Sequence, residues 1–171
     1  YAVYGDKTMR GAYRSIGINR NDVMTLIQMR PEGEPVQWLA FSSNAFNVLA
    51  PFYTGIDTTP AYLSETTGKV STENFYWVSR MIAAMADASY NKSVFHIERY
   101  QENVAAKGHE ILNHYYELLM QENNEEKRRK LQEEANEKIA EMLKCAAADT
   151  LDKVLYELSG QMKNAYARSD A

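Results

Sequence analysis

Two histidines in one predicted helix are the residues of this 171-residue chain whose types and spacing most readily suggest chemistry. A zinc-protease pair needs histidines four residues apart, so that both face one ion. His109 and His114 are five apart, and at that spacing two imidazoles diverge by about 140° around a helix. We therefore expect two surface or half-buried helix histidines, with no metal and no cofactor.

Cys145 is the single cysteine of the chain. One cysteine excludes an internal disulfide, and a reducing cytoplasm is the simplest compartment for such a protein. Cys145 lies well inside a predicted helix, far from a helix N-terminus that could lower the pKa of its thiol. We expect a small packing residue there, and no nucleophile.

A basic run, Lys127–Lys130, stands between glutamates. Glu126–Lys130 and Glu134–Lys138 are favourable i,i+4 pairs, so the run predicts a solvated helix face at the tip of a helical hairpin. The net charge of −4 gives no reason to expect a nucleic acid or an anionic membrane as partner. No apolar run approaches the roughly 18 residues of a membrane span, and no signal segment is present in the chain.

The remaining candidates are polar residues in apolar surroundings near predicted strands: Arg14, Arg20, Asn44 and Asn47. An arginine or asparagine at a strand end can bind a carboxylate, orient an amine or complete an oxyanion hole. Residues of these types are also common in turns that have no function. The residue types alone leave both interpretations open.

The elements that must position these residues are strands in the first third of the chain. Residues 1–22 carry three glycines and predict loops around short extended pieces. Residues 23–30 predict a strand, Pro31–Pro35 a hairpin loop, and Val36–Phe41 a second strand covered on both faces. Ser42–Asn44 predicts a turn and 45–53 a third strand, and 54–74 predicts a long surface connection.

From Phe75 onward the apolar period changes from two to about 3.6. Ser71 is the predicted N-cap of the first helix, which should break at 91–93. A second helix is predicted over 95–121, followed by a break at 121–124. The last helix should run over 125–167, with a possible break near Asp149–Thr150 or Gly160. Tyr115, Tyr116 and the methionines at 81, 85, 120, 142 and 162 fall at helical spacing and are expected in the core. The pattern predicts an α+β fold.

Several blocks of this sequence, in this order, resemble the C-terminal part of the bacterial dipeptidase A family, to which the eukaryotic secernins are related. The blocks are Arg14–Ile16 leading into Met24–Arg30, then Val36–Phe41, Asn47–Tyr53 and Tyr76–Ala84. The resemblance covers about residues 10–90, and no single block is diagnostic.

The resemblance implies an αββα sandwich of the N-terminal-nucleophile hydrolases and hydrolysis of dipeptides. The family nucleophile is an N-terminal cysteine whose own α-amino group acts as the base. Residue 1 here is Tyr, so we expect the catalytic half upstream, no catalytic residue in this chain, and an inactive chain when it is isolated. We expect one domain truncated at its N-terminus, with residues 1–74 rich in strands and 75–171 helical. Arg14 and then Asn44 are the expected substrate-binding residues.

Two alternatives remain open at this point. Residues after Phe95 could form a non-catalytic helical interaction module, although their apolar stripe does not keep a strict heptad. The same kind of nucleophile could instead process an acyl amide, as in penicillin V acylase or bile salt hydrolase. The expected partners are a dipeptide substrate and the N-terminal half of the same polypeptide, and a homo-oligomer is possible.

Overall fold

A computed structural model describes residues 21–162 of the chain. The strands are β1 (Val23–Gln28), β2 (Val36–Phe41) and β3 (Ala50–Tyr53). The helices are α1 (Ala61–Ser64), α2 (Phe75–Ala88), α3 (Tyr90–Gln121) and α4 (Glu125–Ser159). Strands precede helices, which confirms the α+β prediction.

The three strands form one antiparallel sheet in the order β1-β2-β3. Val23 pairs with Phe41 at one end of the β1–β2 hairpin, and Gln28 pairs with Val36 at the other. Gly33 in the connecting loop has a φ of 102°, a conformation that glycine adopts without steric cost. The predicted hairpin is confirmed, and β1 ends two residues before the predicted limit at 30.

The third strand is shorter than predicted. Only Ala50–Tyr53 pairs with β2, while Asn44 to Asn47 form a turn. The prediction of an extended segment over 45–49 is therefore wrong. Asn47 in this turn donates a hydrogen bond to the carbonyl of Ser79 and accepts one from Gln101, and no local pattern contains these distant contacts.

β2 is the central strand, and β1 lies at the edge of the three-stranded sheet. Val36 and Ala40 are buried, whereas Leu39 and Phe41 on the opposite face are half-buried, so the predicted coverage of β2 is incomplete. Leu26 and Ile27 of β1 are more than half exposed. The apolar surface of β1 is thus not covered by the described residues.

The connection 54–74 contains α1, where Tyr62 is buried. Asn74 caps α2, because its Oδ1 accepts a hydrogen bond from the backbone N–H of Trp77 at 3.0 Å. The predicted cap, Ser71, instead accepts from the N–H of Glu73 within the loop. An asparagine directly before the helix competes better for the free N–H groups of the first turn than a serine three residues earlier.

The helix boundaries also differ from the predicted ones. A single residue, Ser89, separates α2 from α3, so the predicted break at 91–93 is wrong. The break at 121–124 is confirmed. α4 continues through Asp149 and Thr150, where the Thr150 hydroxyl donates to the carbonyl of Ala146 at 2.8 Å. It ends at Ser159, directly before Gly160, and residues 163–167 of its predicted range lie outside the described residues.

The core lies between β3 and the three long helices. Tyr115 is buried, whereas Tyr116 is half-buried. Three of the predicted core methionines pack partly buried against the core: Met81, Met85 and Met142. The prediction is wrong for Met120 and Met162, which are exposed.

The tip of the α3–α4 hairpin is less uniformly solvated than predicted. Lys130 pairs with Glu126 at 3.0 Å, as expected. Arg128, in contrast, is half-buried and pairs with Glu34 at 2.6 Å. Lys138 pairs with Glu141 rather than with Glu134, and Glu134 accepts a hydrogen bond from the Tyr115 hydroxyl.

Across residues 21–162, no helix is both long enough and apolar enough to cross a membrane.

Candidate functional site

The turn that joins β2 to β3 has an unusual backbone. Ser42 follows β2 directly and has a φ of 62°, in the left-handed region that a serine rarely adopts. Its N–H donates to the carbonyl of Asp22 at 2.6 Å, so the turn lies beside the start of β1. Non-glycine residues in this conformation persist where the surrounding structure holds them, and they occur often at functional sites.

Asn47 holds this turn against two helices. Its side-chain Nδ2 donates to the carbonyl of Ser43 at 3.0 Å and to the carbonyl of Ser79 in α2 at 3.2 Å. Its own carbonyl accepts a hydrogen bond from Nε2 of Gln101 in α3 at 2.9 Å. Asn47 is 3% exposed, so it is a buried connector and not a surface that a substrate could contact.

Three buried oxygen atoms near this turn have no hydrogen-bond partner among the described residues: Ser43 Oγ, Asn47 Oδ1 and Ser79 Oγ. The amide of Asn47 links the three residues that carry them. A buried polar atom without a partner costs stability, typically about 1 to 3 kcal/mol. Partners for these three atoms can come only from water or from chain outside residues 21–162.

Asn44, one of the two predicted substrate-binding residues, lies half-buried in this turn. Its Nδ2 lies 3.7 Å from the sulfur of Met24. A thioether is a weak acceptor, so this contact leaves most of the donor capacity of the amide unused. Asn44 could donate to a carboxylate or to a developing oxyanion.

Arg14 and Arg20 lie outside the described residues. In the part of the chain that the structure describes, Arg80 of α2 lies near the start of β1, where its guanidinium group pairs with Asp22 at 2.7 Å. The Arg80 guanidinium also lies 5.6 Å from the centre of the Tyr76 ring. Arg80 was not among the candidates from the sequence, although it lies within the Tyr76–Ala84 block of the resemblance.

The two histidines have separate surroundings. His109 lies against Trp38, with ring centres 5.1 Å apart, and His114 lies against Tyr115 at 5.2 Å. Among residues 21–162, no group of three or more His, Cys, Asp or Glu side chains is placed to hold a metal ion.

Cys145 is exposed on α4, so the prediction that it packs in the interior is wrong. It lines a groove of about 980 Å³ between α3 and α4. The charges of this groove are of both signs and are partly paired, as in Lys153 with Asp149 at 2.6 Å. This mixture of charges favours no particular ligand.

Four buried tyrosines have raised pKa values. Burial raises the pKa of Tyr53 to about 12, and it raises the pKa of Tyr62 and Tyr100 further. Burial and a hydrogen bond to Glu134 raise the pKa of Tyr115 to about 12. These hydroxyls stay protonated near neutral pH. Tyr53 donates to the carbonyl of Leu112 at 3.1 Å, and Tyr115 donates to Oε1 of Glu134 at 2.8 Å.

The sequence matches the family model described as peptidase family C69 over residues 1–103, more than half of the chain. The chain belongs to this family.

Curated relatives extend the similarity over nearly the whole chain. A dipeptidase of Bifidobacterium longum (strain NCC 2705) is 35% identical over 99% of the chain, which covers 40% of the relative. A probable dipeptidase A of Streptococcus pyogenes serotype M3 is 34% identical over 99% of the chain, covering 36% of the relative. A probable dipeptidase B of Lactococcus lactis subsp. lactis (strain IL1403) is 36% identical over 90% of the chain, covering 33%. The chain thus spans about two fifths or less of the length of these relatives.

Proposed function

We propose that this chain is the C-terminal part of a cysteine dipeptidase that hydrolyses dipeptides. The observation that carries the proposal is the 35% identity to a dipeptidase over 99% of the chain. The turn at 42–47 supports it, because a strained, partly unsatisfied turn at a strand end is a suitable place for substrate contacts. We assign the protein to the cytoplasm.

The nucleophile in this proposal is an N-terminal cysteine supplied by the other half of the same polypeptide. Its α-amino group accepts the thiol proton, and the thiolate attacks the peptide carbonyl. The C–N bond then breaks, and the amine leaves with the proton that the α-ammonium group returns, so a thioester remains. Water hydrolyses this thioester to the free carboxylic acid and the cysteine thiol. Cys145 is not that nucleophile, because it lies in the middle of α4 on the exposed surface. The isolated chain is therefore inactive.

The sheet β1–β3 would form part of the αββα sandwich of N-terminal-nucleophile hydrolases. The exposed apolar side chains of β1, including Leu26 and Ile27, support this proposal. An uncovered apolar edge strand favours pairing with further strands, and the rest of the polypeptide can supply them.

In this proposal Arg14 pairs with the carboxylate of the dipeptide, and Asn44 donates a hydrogen bond to the substrate from the turn. The half-buried position of Asn44 and its weak contact with Met24 support the second role.

The experiment is a hydrolysis assay of the full-length polypeptide with dipeptides, penicillin V and conjugated bile salts as substrates. We expect hydrolysis of dipeptides, no activity of the isolated 171-residue chain, and loss of activity when the upstream cysteine is replaced by alanine. Faster hydrolysis of penicillin V or of conjugated bile salts than of dipeptides would instead indicate a penicillin V acylase or a bile salt hydrolase. No hydrolysis of any of them would favour a helical interaction module.

Substitutions separate substrate binding from a structural role. Arg14→Ala and Asn44→Ala should each lower kcat/KM for dipeptides about tenfold or more, roughly 1.4 kcal/mol of transition-state stabilisation. Arg129→Ala and Asn113→Ala are matched controls on exposed helix surfaces and should leave kcat/KM unchanged. An unchanged kcat/KM in the Arg14 or Asn44 variant would leave that residue with a structural role only.

A further inference from the structure

Asn47 fixes the peptide group from which Asn44 projects. The carbonyl oxygen of Ser43 belongs to the peptide bond between Ser43 and Asn44. It accepts a hydrogen bond from Nδ2 of Asn47 at 3.0 Å. The same oxygen also accepts the N–H of Phe46 at 3.1 Å. The orientation of the Asn44 backbone therefore depends on the Asn47 side chain.

The other contacts of Asn47 connect this peptide group to the helical layer. The carbonyl of Ser79 anchors the same amide to α2 at 3.2 Å, and Gln101 of α3 donates to the Asn47 carbonyl at 2.9 Å. One buried side chain and its own main chain thus set the turn relative to two helices.

Three buried oxygens lie beside the turn without partners among the described residues: Asn47 Oδ1, Ser43 Oγ and Ser79 Oγ. Partners for these atoms can come only from water or from chain outside residues 21–162. The left-handed conformation of Ser42 has a conformational cost at the same place.

We propose that Asn47 is a positioning residue of the enzyme, which holds the amide of Asn44 in the orientation that contacts the substrate. This inference rests on the proposed function. Asn47 itself does not touch the substrate, because it is 3% exposed and its Nδ2 is engaged by two carbonyls.

A double-mutant cycle in the full-length enzyme tests the inference. Asn47→Ala should lower kcat/KM for dipeptides about tenfold. In the Asn44→Ala background the same substitution should produce almost no further loss, because its effect passes through Asn44. Asn47→Asp, which keeps the shape but removes the donor, should behave in the same way.

The matched control is Asn136→Ala. Asn136 is another buried asparagine whose Nδ2 donates to a main-chain carbonyl, that of Tyr53 at the far end of β3. Its substitution should lower the unfolding temperature without showing coupling to Asn44. If Asn47 variants cannot be purified folded, Gln101→Ala removes the outer contact of Asn47 from a partly exposed position. Gln101→Ala should lower kcat/KM less than Asn47→Ala does, and this loss should also be absent in the Asn44→Ala background.

The outcomes are distinct. Losses that vanish in the Asn44→Ala background support the inference. Unchanged kinetics, or losses that add independently to that of Asn44→Ala, overturn the inference while leaving the proposed function in place. Absence of dipeptide hydrolysis by the unsubstituted enzyme overturns the proposed function and the inference together.

Discussion

The side chain of Asn136 pairs with both main-chain groups of Tyr53. Its Oδ1 accepts the Tyr53 N–H at 2.8 Å, and its Nδ2 donates to the Tyr53 carbonyl at 3.0 Å. Tyr53 is the last residue of β3, and Asn136 lies 83 residues later in α4. The asparagine therefore takes the place of a neighbouring strand at this edge of the sheet.

Replacing Asn136 with alanine should destabilise the chain by about 2 to 4 kcal/mol. The substitution removes two hydrogen bonds and leaves a buried N–H and a buried carbonyl without partners. Urea unfolding measures the change in free energy. Asn113→Ala, on the exposed surface of α3, should change it by less than about 0.5 kcal/mol. Equal effects of the two substitutions would contradict a special role of the pairing.

Gly55, two residues after β3, makes a second contact with α4. A Cβ at Gly55 would lie 2.7 Å from Oε1 of Gln132, and that oxygen accepts the Gly55 N–H at 3.1 Å. Gly55→Ala should therefore displace Gln132 and destabilise the chain by about 1 kcal/mol.

The control for Gly55 is Gly68→Ala, because a Cβ there meets nothing within 4 Å. Its effect should be neutral or slightly stabilising. In a Gln132→Ala background, Gly55→Ala should cost less than it does alone. A cost that is the same in both backgrounds would show that Gln132 is not the cause.

Two adjacent arginines should differ in their contributions to stability. Arg128 pairs with Glu34 at 2.6 Å in a half-buried site, and its Nη1 also donates to the carbonyls of Leu119 and Glu122. Arg129 pairs with Asp57 at the surface at 2.8 Å. Arg128→Ala should cost about 1 to 3 kcal/mol, since charge-assisted bonds to partly buried groups are lost. Arg129→Ala should cost less than about 1 kcal/mol. Thermal unfolding in low and high salt checks this order, and a reversed order would refute it.

Stability should fall as the pH rises from about 10 to about 12. Tyr53 has a pKa of about 12 in the fold, against its ordinary value near 10 when unfolded. Between these values the folded state holds more protons than the unfolded state, so the free energy of unfolding decreases with pH. Burial is the main cause, and the hydroxyl donates to the carbonyl of Leu112 at 3.1 Å.

Urea unfolding at several alkaline pH values measures this dependence. Tyr53→Phe removes one of the four tyrosines with raised pKa values and should make the slope shallower. Asn113→Ala, which removes no titratable group from the exposed surface of α3, should leave the slope unchanged. A slope that Tyr53→Phe does not alter would assign the alkaline transition to other groups.

Part of the candidate site was accessible from the sequence. Asn44 and Asn47 could be identified as candidates because they are polar residues in an apolar stretch. The connecting role of Asn47 could not be predicted, because it depends on contacts with Ser79 and Gln101, which lie 32 and 54 residues away. The signal at Asn136 was also present, since Gln132 and Asn136 fall on the same helical stripe as buried Ala135, Ile139 and Leu143. A polar residue on an apolar stripe indicates a buried partner but does not identify it.

The sequence by itself determined the α+β class, the β1–β2 hairpin, the helical hairpin with its break at 121–124, and the family resemblance. These follow from local periodicity, turn residues and the order of short blocks, all of which are properties of neighbouring residues. Only the tertiary structure decided where β3 begins and how α4 completes the edge of the sheet. Each of these depends on hydrogen bonds or packing whose balance local patterns do not contain. Asn47 and Asn136 form such bonds with residues far away in the chain, where a buried amide must find its partners.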